Sequence, residues 1–216
     1  MDGREQVGGS FDEDPSGNED RNRRGIIMIK KIYGMEPVKR VIIVWLAFFI
    51  IQWAVFLVAY LTNPEAWVNV QTGVPDRGMD SALAILANNG ILLILIVAAN
   101  LFARFGSVSL GGLILIIQAV MIGWTAGTNG FAFPFPNLGA ANMNYLKIGL
   151  WELSAYAIVG GVTLTKSLNI SETFPPKSWV VSRKLKDITF DKTEERLLIL
   201  AAVFLAVAAL MEGFFI

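Results

Sequence analysis

The chain contains no cysteine and no histidine. The first absence excludes disulfides, thiolate metal sites and a cysteine nucleophile. The second removes Ser–His and Cys–His nucleophile pairs, the HExxH zinc site and haem ligation by imidazole. Charge is also scarce, at 17% of the 216 residues, where a soluble domain carries about a quarter. The two signs balance at 18 each, so no global charge points to nucleic acid. A GxGD protease motif and a Walker A loop are missing as well, and no enzymatic or cofactor-binding set is expected.

What the chain has instead is apolar length. Hydrophobic residues make up 54% of it, and they fall into blocks of about twenty, the length that crosses roughly 30 Å of hydrocarbon. The expected fold is all-α, a polytopic transmembrane helix bundle of about five spans over residues 41–216. The spans read as 41–61, a second ending near residue 102, 110–127, about 145–164, and 197–216.

The second span allows two starts. Either it runs from about Ala82, or the segment up to Leu86 lies at the interface and the span enters near Asn88–Asn89. Adjacent amides sit better at a helix entrance than deep in lipid, which favours the second.

Residues 1–25 are polar and carry both charge signs, with almost no large apolar side chain. Such a segment cannot offset its ordering entropy by burial, so a disordered tail is expected. It lacks the apolar core of a signal peptide, and Met28 is a possible true start. Residues 26–40 mix aliphatics with Lys30, Lys31, Lys39 and Arg40, as a short interfacial segment does. Lys and Arg gather before the first span, at Arg104, and between the fourth and fifth spans, whereas the intervening loops are poor in them. That alternation places the N-terminus in the cytoplasm. The basic stretch 177–192, KSWVVSRKLKDITFDK, suits anionic headgroups.

Glu152 is the foremost candidate for chemistry. A carboxylate at mid-depth costs at least about 2.5–3.5 kcal/mol, so it must face protein or water, or carry a proton. Its helical face includes Gly149, Tyr156 and Gly160, with Tyr156 able to donate one turn on. An ion or proton site and a structural carboxylate both fit. The structural reading weighs more, because functional intramembrane acids usually come with a second ionisable group. Candidate partners are the amides Gln52, Gln118, Asn88, Asn89 and Asn100. Glu212, in the last turn of the fifth span, sits where a helix disfavours negative charge, and a contact with another helix or a partner subunit would explain it. Gly123/Gly127 and Ala157/Gly161 mark packing faces. The loop FAFPFPN, residues 131–137, reads as interfacial.

Several of these features together resemble the stage II sporulation protein M family, also called DUF95. They are the paired Asn88–Asn89, Gly106 and Gly123, the stretch GLWELSA (149–155) followed by Gly160–Gly161, and MEGF (211–214). The similarity covers about residues 38–216. The family often has a histidine before the glycine of the fourth-span motif, where this chain has Ile148. An asparagine–glycine pair of the third span is matched by Gln118–Ala119. The resemblance implies a non-enzymatic scaffold or accessory subunit in the plasma membrane of a bacterium or archaeon. Its partners would be membrane lipids and other integral membrane proteins, in a hetero-complex or a homo-oligomer. A transporter or channel component using Glu152 in a polar path is the alternative.

Overall fold

The computed structural model describes residues 31–73, 75–106, 108–173 and 175–215. The expected disordered tail, the first part of the interfacial segment and Met28 lie outside these. The long elements are helices, in keeping with the all-α expectation: α1 (Pro37–Thr62), α2 (Met79–Phe102), α3 (Leu110–Gly127), α4 (Leu138–Asn144), α5 (Leu150–Thr163) and α6 (Lys192–Phe215). A π-helical turn, Tyr145–Gly149, joins α4 to α5. Four very short strands, β1 (Ala103–Phe105), β2 (Val108–Ser109), β3 (Asn169–Ser171) and β4 (Val180–Val181), form one sheet in the order β2-β1-β3-β4.

Four helices, α1, α2, α3 and α6, are each long and apolar enough to cross a membrane, which makes this a multi-pass membrane protein. The expected count of five is therefore corrected to four. The segment read as a fourth span is divided by the π turn, and its α5 portion has only 14 residues. At 1.5 Å per residue that is about 21 Å, short of the roughly 30 Å of hydrocarbon. Nor does α5 show its apolar surface to lipid beyond its first turn, where Trp151 is exposed. Every residue from Leu153 to Thr163 is buried, the pattern of a helix that is hydrophobic all round because other helices surround it. The four long helices, by contrast, leave large aliphatic side chains such as Ile50, Ile94, Met121 and Ile199 exposed.

Local signals explain the boundaries. Pro37 opens α1, where its missing N–H costs nothing. Ser109 caps α3, its Oγ accepting from the Gly112 amide at 2.9 Å. Asp191 and Glu194 form a reciprocal capping box at the start of α6. Asp191 Oδ1 accepts from the Thr193 and Glu194 amides, and Glu194 Oε2 from the Asp191 amide. The helix α2 does not begin at Asn88–Asn89. It starts at Met79 after Gly78, whose positive φ of 128° suits only glycine. Both asparagines thus lie well inside the helix, a correction to the expected entrance.

The starts of α1, α3 and α6 share one end of the bundle with the ends of α2 and α5. Arg40 ties α1 to α5 and α6 there, and β1 pairs with β3 in parallel. Most of the lysines and arginines lie at this end, called the basic end below. At the opposite end the Gly78 amide donates to the Gly213 carbonyl at 2.8 Å, and a Cβ at Gly213 would strike the Ala82 backbone. The Gly123/Gly127 pair packs α3 on α1, since a Cβ at either position would collide with α1 backbone or the Ala59 side chain. The loop carrying FAFPFPN is drawn in by Asn129, whose side chain bonds both the N–H and the carbonyl of Phe135 at 2.9 Å.

Candidate functional site

Glu152 opens α5, directly after the π turn, and the structure brings two of its expected neighbours to it. Tyr156, one turn on, donates its hydroxyl hydrogen to Glu152 Oε1 at 2.8 Å. Asn89, from α2, turns its side-chain amide towards the same carboxyl. Glu212, from α6, lies close enough to repel Glu152 electrostatically. Two acids, a phenol and an amide from three helices therefore converge inside the bundle. The second ionisable group that Glu152 lacks in the linear sequence is supplied by the fold. Tyr156 is 1% exposed, so this arrangement is held rigidly on at least one side.

The other expected residues go elsewhere. Asn88 is exposed on the outer face of α2, and Gln118 is half-buried on α3; the side-chain amide of neither is hydrogen-bonded to any described residue. Asn88 and Asn89 part company because successive helical residues are about 100° apart. Gly149 does not admit a neighbouring helix. A Cβ there would press on the Tyr145 ring of its own segment. Gly160 does admit one: a Cβ at that position would overlap the Leu115 side chain of α3. Gln52 is 3% exposed, and its Oε1 has no hydrogen-bond partner, as is also true of the nearby Tyr145 hydroxyl.

A second buried polar cluster, at the basic end, escaped sequence reasoning altogether. Arg40 Nε donates to the Gly161 carbonyl at 2.6 Å and its Nη2 to Val162 at 3.3 Å, carbonyls that the end of α5 leaves free. The same Nη2 pairs with Glu194 Oε1 at 3.0 Å, and Lys166 Nζ with Glu194 Oε2 at 2.7 Å. Nearby, Asn100 is fully buried and donates to the Gly160 carbonyl and, at 2.8 Å, to Thr163 Oγ1. One signal was available for part of this: the D-x-x-E spelling of the capping box at 191–194. Nothing in the sequence paired Arg40 with it, 154 residues away.

Outside the spans, Tyr33 and Arg104 meet at the same end, the guanidinium 4.4 Å from the ring centre. Burial pushes the Tyr33 phenol above its ordinary value, and the Arg104 charge partly opposes that rise. Among the described residues no group of three acidic side chains is arranged to hold a metal ion. No family model, curated protein or solved structure matches the chain.

Proposed function

We propose that this protein is a non-enzymatic integral membrane subunit that joins a larger membrane complex, as its resemblance to the stage II sporulation protein M family implies. The observation that carries this reading is Asn88. It stands near the middle of a membrane-length helix, on the outer face, with its amide unpartnered among the described residues. Polar side chains at such depth are expensive in lipid and act as glue between helices. A second membrane helix seated on α2 relieves that cost. The basic end faces the cytoplasm by the positive-inside rule, in the plasma membrane of a bacterium or archaeon.

The test is purification in mild detergent. Partners are expected at stoichiometric yield with the unaltered chain, and Asn88→Leu is expected to release them without unfolding the protein. A lone monomer, identical in both forms, overturns the reading.

A second reading rests on a different observation, the approach of Glu212 to Glu152. Paired acids with a phenol and an amide are the groups from which proton and cation paths are built. On this reading the protein is a transporter or channel component, and Glu152→Gln abolishes a flux in reconstituted vesicles while assembly persists. Unchanged flux sinks it.

A further inference from the structure

Along one side of the bundle a groove between α1 and α6 leads to the first turn of α5, where Trp151 is exposed. Its volume is about 380 Å³. Val38 and Trp45 form one wall, Leu200 and Phe204 the other, and Trp151 and Ile158 the floor. Ser154 is the one polar residue lining it, and its Oγ already accepts from Trp45 Nε1 at 2.8 Å. Besides the Trp151 indole N–H, the groove offers mainly hydrocarbon contact. We infer that it holds one chain of an anionic phospholipid from the leaflet at the basic end.

The floor runs from Leu150 to Ile158, about 12 Å of helix, between the apolar walls. Position selects the leaflet: the groove begins in the first turns of α1 and α6, at headgroup depth, and runs inward towards Trp151.

Charge selects the headgroup. Arg196 is exposed one turn before Leu200, on the same face of α6. Lys39 follows Val38 and is shared with Glu36 across a fully exposed pair at 3.0 Å. Arg196 is thus the cation left to meet a phosphate. The inference is independent of Asn88, which lies on α2, and so survives or fails apart from the proposed assembly.

Native mass spectrometry of the delipidated full-length chain tests it, with phosphatidylglycerol and phosphatidylcholine as probes. The unaltered protein is expected to retain one phosphatidylglycerol, with an apparent affinity about tenfold above that for phosphatidylcholine. Leu200→Trp, which fills the groove, should lower retention of both lipids at least tenfold. Ile42→Trp, on the opposite wall, repeats the block in case the first variant folds poorly. Arg196→Gln should erase the headgroup preference and leave chain retention intact. No saturable lipid, or equal retention by both filled variants, overturns the site. Equal affinity for the two lipids in the unaltered protein overturns the anionic assignment. A protein chain displaced by Leu200→Trp, in place of lipid, overturns the occupant.

Discussion

Two polar clusters lie along α5, one buried and one half-buried, and they are built on opposite principles. At the basic end Glu194 faces Arg40 and Lys166, and the remaining donors of Arg40 go to free carbonyls. Each charge there has a partner with good geometry, which is the condition under which ions can be buried. Around Glu152 there are two acids, and the groups shown to act on them are a phenol and an amide; no cation is among them. The first cluster is closed and self-sufficient. The second holds two acids with no cation beside them among the described residues. The contrast is between charges paired within the chain and charges of one sign brought together by it.

The sharpest break of this contrast is Glu194→Ala. It strands Arg40 and Lys166 and removes the capping box of α6, so a loss of about 3–5 kcal/mol is expected in detergent unfolding. A loss below about 1 kcal/mol would show that the basic end is not a clamp. Gly160→Leu comes next, since it acts on the stretch of α5 between the clusters, where Leu115 leaves no room. Overpacking should cost about 1–3 kcal/mol, seen as a lowered melting temperature.

Tyr156→Phe removes the donor to the half-buried Glu152 carboxyl, for about 0.5–1.5 kcal/mol. Glu152→Gln should cost less, because the amide still accepts from Tyr156 and the repulsion from Glu212 vanishes. A larger cost for Glu152→Gln than for Tyr156→Phe would place the two clusters in the same class. The smallest effect belongs to Asn88→Leu, with stability changed by no more than about 0.5 kcal/mol while partners are lost from the purified material.

How much of this was legible follows from range. The helical, membrane-spanning class, the first, third and last spans and the Glu152–Tyr156 pair were readable, because hydropathy and the i,i+4 spacing are local properties. The π turn was not readable, since one extra residue in a helical turn leaves no trace in composition. That turn is why a stretch of span-like hydropathy holds only 14 residues of α5. Strands of two or three residues likewise carry too little pattern to detect. The meeting of Glu152 with Glu212, and of Arg40 with Glu194, depends on which helices pack together, and single-sequence periodicity does not encode that. Asn88 and Asn89 show the limit at its finest: two identical neighbours, one turned inward and the other outward.

The parallel pairing of β1 with β3 has a mechanical consequence. The Leu168 amide donates to Leu101 and Ser167 Oγ to Asn100, so the chain leaving α5 is stitched to the end of α2. From β3 the chain runs directly into the stretch that bears Lys177, Arg183, Lys184 and Lys186. A pull on that stretch meets the sheet first, and the bonds to Leu101 and Asn100 pass the load to the end of α2 as well as to α5.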